Sequence, residues 1–176
     1  MDTQQKLLRA AEDQFQRHGF NSTGMDRLAQ AASMSSRTLY KHAGSKAALI
    51  AAVLAERDQR FFELLDVASV DALFQVLDDW LRKEGRRGCL FLRAFGETGG
   101  DLPEVVAAMT EHKLRCLAKI RRLVAQETGK PRGNGALAEQ ILVLFEGATA
   151  ASIYRGHDAV TAARRAAAAL IAQARA

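Results

Sequence analysis

The sequence predicts an all-α fold of about nine helices. Three observations carry this expectation. Alanine and leucine dominate the apolar residues, with 33 Ala and 21 Leu among 176 residues, and both are strong helix formers. Aromatic residues, which strands favour, make up only 6%. Only two prolines occur, Pro103 and Pro131, so few positions forbid a continuous helix. An apolar fraction of 48% supplies enough material for a core and argues against a disordered chain.

The elements follow in order. A helix is expected over 3–18, where Leu7, Leu8, Ala11 and Phe15 recur at helical spacing. Gly19 suits the left-handed position that ends it, and Phe20 can fold back onto the core. A cluster of turn and cap residues, Asn21 to Gly24, precedes a short helix over 25–32. Ser33, Met34 and Ser35 form a turn, and a second short helix over 36–42 buries Leu39. Two short helices joined in this way are the helix-turn-helix pattern. Gly44 ends the second, and Ser45 can cap the next helix, over 45–65. Further helices are expected over 71–84, with Leu73, Phe74, Leu77, Trp80 and Leu81 inward, and over 89–96. The next runs over 103–127, with Val105, Met109, His112, Cys116, Ile120 and Leu123 inward. Residues 128–135 read as a loop, and helices over 136–154 and 158–175 close the chain. The best domain boundary lies near residue 46.

The net charge is +5, and its distribution matters more than its size. Residues 1–46 hold seven Lys/Arg against four acids, and 33–46 hold three cations and no acid. Cys89 and Cys116 form no CxxC pair, so neither a disulfide framework nor a metal site is expected. The charged, amphipathic N-terminus is no signal peptide. The longest apolar runs, such as 166–172, fall short of the ~18 residues that span a bilayer. A soluble, cytoplasmic protein with no membrane partner is expected.

Residues 7–54, LLRAAEDQFQRHGFNSTGMDRLAQAASMSSRTLYKHAGSKAALIAAVL, resemble the DNA-binding domain of the tetracycline-repressor (TetR) family of bacterial transcription regulators. The matching residues include Ala10-Ala11, Phe15, Gly19-Phe20, Thr23, Leu28-Ala29, Ala31-Ala32, Thr38-Leu39-Tyr40, His42 and Gly44-Ser45-Lys46. Two positions depart from the pattern. Ser33 stands where the family has Gly, which predicts ~1 kcal/mol of strain if the turn is left-handed. Ala43 stands where the family has Phe, so a larger neighbour such as Met34 is expected to fill the space.

The residues themselves support DNA contact. Lys46 lies in the first turn of a helix, where a cation opposes the helix dipole; a phosphate bound there would explain it. Arg37 can reach a guanine edge or a phosphate. Ser35, Ser36, Thr38, Tyr40 and Lys41 suit orienting phosphate contacts. By resemblance, Thr23 and His42 lie near the DNA backbone. The expected interface is therefore Thr23, Ser35, Ser36, Arg37, Thr38, Tyr40, Lys41, His42 and Lys46.

The resemblance implies a helix-turn-helix domain over 1–46 and a ligand-binding and dimerisation domain over 47–176. It also implies pairing of the last two helices, 136–154 and 158–175, into a four-helix bundle. Gly147, Ala148, Ala150, Ala151 and Ser152 would permit close approach. A two-fold dimer reads half-sites ~34 Å or slightly more apart, hence a palindromic operator. Trp80, Phe91, Phe95, Met109, His112, Cys116 and Phe145 are the expected lining of a pocket for a small apolar effector. No cofactor or metal is expected. The function that follows is a ligand-responsive DNA-binding regulator, a repressor released by a small molecule. A redox-sensing regulator using Cys89 or Cys116 is the first alternative; Cys89 follows Arg86-Arg87 and begins a helix. A small helical enzyme is the second. No phosphate-cradling glycine loop, HExxH, GxSxG or defined carboxylate pair supports it.

Overall fold

The computed structural model describes residues 2–130 and 134–175. Among these it has no strand and nine helices: α1 (Thr3–His18), α2 (Met25–Ala31), α3 (Ser36–Ala43), α4 (Lys46–Glu63), α5 (Val70–Lys83), α6 (Leu90–Glu97), α7 (Pro103–Thr128), α8 (Gly135–Arg155) and α9 (His157–Arg175). The expected loop over 128–135 includes residues 131–133, which lie outside the described residues. The chain divides into two compact units. One is Met1–Arg60 with Leu90–Glu111, and the other Phe61–Cys89 with His112–Ala176.

In the first unit the local signals act as the residues suggest. Asp2 caps α1 by accepting from Gln5 N–H, and Gln5 Oε1 accepts from Asp2 N–H, a reciprocal capping box. Gly19 takes φ +87, and Phe20 folds back so that its ring stacks on Phe15 at 4.8 Å. α1 packs on α2 and α2 on α3, burying Leu7, Ala11, Phe15, Phe20, Leu28 and Leu39. Met25 and Ala32 are only half-buried.

The α2–α3 turn is a Schellman motif. Met34 N–H bonds to Ala29 O and Ser33 N–H to Gln30 O. This geometry requires a left-handed residue, and Ser33 supplies it at φ +54, alone among the described non-glycine residues. Ala43 closes α3 as a buried residue, and Met34 is half-buried.

α4 is fixed to α1 by charge in a dry place. Glu12 and Arg57 are 7% and 3% exposed. Arg57 Nη1 reaches Glu12 Oε1 at 2.5 Å, and Arg60 Nη2 donates to both Glu12 oxygens at 3.0 and 2.8 Å. Gln16 adds a third donor and a fourth hydrogen bond at 3.2 Å. A buried carboxylate is tolerable only when its lone pairs are filled in this way.

The second unit is a layer of α5, α8 and α9 with the ends of α4 and α7. α8 packs on α9, and α5 packs on both. Phe61, Phe74, Leu77, Ile120, Ile141, Phe145, Val160 and Ile171 lie in its continuous core. Ion pairs close its edges. Arg164 holds Asp71 through two bonds, at 2.6 and 2.7 Å. Glu127 accepts from Val70 N–H at the start of α5 and from Arg175 at the end of α9.

α8 adds one observation to the expectation of no membrane span. No single apolar run reaches a bilayer's width, yet α8 as a whole is long and apolar enough to cross a membrane by length and composition. Here it packs on α5 and α9, and its Glu146 is paired with Lys113 at 2.7 Å. Much of its other side is open.

Two stability predictions follow from this packing. Glu12→Leu removes the carboxylate shared by Arg57 and Arg60; breaking a buried pair typically costs about 3–5 kcal/mol, read as a lower urea midpoint. Ser33→Gly should raise the midpoint. Relief of ~1–2 kcal/mol of left-handed strain exceeds the ~0.4–1 kcal/mol of added chain entropy, a net gain of about 0.5–1 kcal/mol.

Candidate nucleic-acid interface

The first unit presents one face with few competing demands on its polar groups. Ser35 caps α3, its Oγ accepting from Thr38 N–H at 3.1 Å. The Ser35 and Thr38 hydroxyls also bond to each other at 2.9 Å. α3 then turns Leu39 and Ala43 inward. Ser36, Arg37, Tyr40 and Lys41 are left exposed, with Tyr40 at 52%. Gly44, at φ +67, ends the helix, and Ser45 caps α4 by accepting from Ala48 N–H at 3.0 Å. Thr38, His42 and Lys46 are half-buried. The Lys46 ammonium reaches the Asn21 carbonyl at 3.4 Å, which holds it at the start of α4. No acid occurs between Asp26 and Glu56, while Arg27, Arg37, Lys41 and Lys46 fall in that span. Guanidinium, ammonium, hydroxyl and phenol groups on one short helix can meet a polyanion by both charge and hydrogen bonds.

Thr23 is the exception among the expected contacts. It is fully buried, and its hydroxyl donates to the Gly19 carbonyl at 2.6 Å. The side chain stabilises the turn and offers nothing to an outside partner. Its place after Asn21-Ser22 reads equally as cap or contact, so the sequence did not distinguish them.

The expected effector lining falls in both units. Trp80, His112, Cys116 and Phe145 lie in the second, around Phe61. The Phe61 ring is 5.2 Å from Trp80, 5.8 Å from His112 and 6.4 Å from Phe145. Cys116 Sγ is 3.9 Å from His112 Nε2. Phe91, Phe95 and Met109 belong to the first unit, where Phe91 is buried, Met109 half-buried and Phe95 37% exposed. A cavity the sequence did not suggest, about 180 Å³, lies in the second unit. Leu81 and Val160 line it together with Asp78, Arg82, Arg86 and His157. Asp78 accepts from Arg82 at 2.5 Å and bonds His157 Nδ1 at 2.8 Å. Burial would raise the Asp78 pKa, but these two partners outweigh it and hold the carboxyl below its usual range. The only advance sign was the turn at Gly156-His157.

The two thiols differ sharply. Burial pushes the Cys116 thiol up to about 12, so it is a small apolar group at neutral pH. Cys89 is half-buried, and Lys113 Nζ stands 3.4 Å from its sulfur, itself held by Glu146. Among the described residues no group of three or more His, Cys, Asp or Glu side chains is placed to hold a metal ion.

The sequence of residues 7–53 matches the family model of bacterial regulatory proteins, tetR family. No curated protein matches the chain. Solved structures match it along nearly its whole length. A TetR-family transcriptional regulator from Streptomyces coelicolor is 25% identical, with TM-score 0.88, over 99% of this chain and 96% of that one. GusR of Salmonella enterica is 25% identical, with TM-score 0.73, over 97% and 95%. The regulatory protein TetR from Rhodobacter sphaeroides is 23% identical, with TM-score 0.77, over 94% and 97%, and shares the fold. Taken with the open basic face of α3 and the helix-turn-helix beneath it, these likenesses show a tetR-type N-terminal region over residues 7–53 and, along nearly the whole chain, the fold of TetR-family transcriptional regulators.

Proposed function

We propose that residues 1–46 bind double-stranded operator DNA through the exposed face of α3 and the start of α4. Residues 47–176 carry the dimer seam and the effector response. The observation that supports this most is the acid-free face itself: Ser36, Arg37, Tyr40 and Lys41 exposed on α3, with Lys46 at the head of α4. Arg37 reads a base edge or a phosphate in the major groove. Ser35, Thr38, His42 and Lys46 fix the backbone register. Thr23 contributes through the turn it stabilises.

The dimer pairs α8 and α9 of two copies about a two-fold axis. On α8, Gln140, Val143, Gly147, Ala150 and Tyr154 recur at helical spacing and are all exposed, Val143 at 69% and Tyr154 at 79%. On α9, Ala162, Ala166 and Ala169 do the same. An apolar face of small residues on two adjacent helices is costly in water and suits close packing against its own copy. The operator is then two-fold symmetric. The protein is cytoplasmic and acts as a repressor. A small apolar molecule releases it by binding more tightly to the DNA-incompetent arrangement, and the shift cannot exceed that difference in affinity. A thiol switch at Cys89 is the second reading. The Lys113 contact favours it, since reactive cysteines occur half-exposed beside cations.

Two measurements check the proposal, using a duplex that the protein selects from a random library. Arg37→Ala should weaken binding by ~1–3 kcal/mol and relax preference at one base pair. Lys46→Ala should weaken all duplexes alike and reduce the salt slope by about one. If neither changes retardation of the duplex, the interface lies elsewhere. Val143→Asp should place like charges across the seam and loosen the dimer at least about a hundredfold in sedimentation equilibrium; an unchanged dimer mass contradicts the α8 seam.

A further inference from the structure

The turn between α1 and α2 is held by a residue far from it in sequence. Glu97, the last residue of α6, accepts at Oε2 from Phe20 N–H at 2.6 Å and from Asn21 N–H at 3.2 Å. The Asn21 side-chain amide donates to the Glu97 carbonyl. Arg93, one helical turn earlier, donates from Nε to Glu97 Oε1 at 2.7 Å and from Nη1 to the Gln16 carbonyl at 2.8 Å. Gly19 makes the room. A Cβ there would stand 2.7 Å from Glu97 Oε2, so the carboxylate occupies the space a side chain would fill. Burial alone would raise the Glu97 pKa, but the Asn21 and Phe20 amides and Arg93 outweigh it and lower it.

The same turn leads to the DNA face. Asn21 donates to Glu97 from both its N–H and its side-chain amide, and its carbonyl accepts from Lys46 Nζ at 3.4 Å. A carboxylate repels phosphate, so Glu97 makes no favourable contact of its own with DNA. We infer that Glu97 is a positioning residue for DNA binding: its carboxylate fixes the α1–α2 turn, and through Asn21 it sets where Lys46 and the start of α2 stand. This rests on the DNA-binding reading of the first unit.

The test uses the full chain and the selected duplex. Glu97→Ala should weaken binding about tenfold, the weight of about one charge-assisted hydrogen bond. The salt slope should stay as in wild type, because no phosphate contact is removed. Amide proton resonances of Phe20 and Asn21 should move upfield as they lose a charged acceptor. In a double-mutant cycle, Lys46→Ala should cost less when Glu97 is already Ala. Wild-type affinity in a folded, dimeric Glu97→Ala overturns the inference, as does full additivity with Lys46→Ala. If the alanine variant does not fold, Glu97→Gln carries the test. It keeps one neutral acceptor and should lose about threefold, and wild-type affinity in it overturns the inference equally. A wild-type chain that selects no duplex overturns the DNA reading and this inference with it, whereas wild-type binding with unaffected variants overturns the inference alone.

Discussion

The buried carboxylate of Glu12 is the constraint on which the first unit depends. Arg57 and Arg60 of α4 both close on it, one of them almost wholly out of water. An apolar contact at that place would hold α1 near α4 but leave the two helices free to slide. A carboxylate that accepts four hydrogen bonds, three of them from α4, has one geometry, so α4 takes a defined register against α1. The start of α4 carries Lys46, and the end of α1 leads into the turn held by Glu97. Both edges of the proposed DNA face are thereby referred to helices outside α2 and α3.

Between those edges the short helices have little core of their own. α2 buries Leu28 and Ala29, and α3 buries Leu39 and Ala43. Their relative setting comes from backbone geometry instead. The Schellman turn at Ser33 and the Ser35 cap fix where α2 stops and α3 starts. That the turn keeps Ser33 at φ +54 shows how strongly the packing on both sides demands a left-handed residue there. The exposed side of α3 is then free of structural duty except at Thr38, whose hydroxyl meets Ser35.

What the sequence revealed was local, and what it hid was long-range. Helix bounds agree within two residues, because caps such as Asp2, Ser35 and Ser45 and stops such as Gly19 and Gly44 act over a single turn of chain. Helical periodicity placed Trp80, His112 and Cys116 inward correctly. It did not show that the Trp80 and His112 rings gather round Phe61, since a period names a face and not its partner. Glu12 with Arg57 and Glu97 with Phe20 are separated by 45 and 77 residues. Nothing in the spacing of charges links such residues before the fold is known. Thr23 was ambiguous for a related reason: a hydroxyl in a turn suits a phosphate and a backbone carbonyl equally. α8 is apolar almost all round, so its open side was visible only once α5 and α9 had covered the other.

The proposed DNA interface is the exposed face of α3 and the head of α4. Backbone amide exchange on the full chain, with and without its selected duplex, tests it. Exchange should slow chiefly between Ser35 and Ala48, with the α1–α2 turn following. Protection confined to α5, α8 or α9, with α3 unchanged, would contradict it.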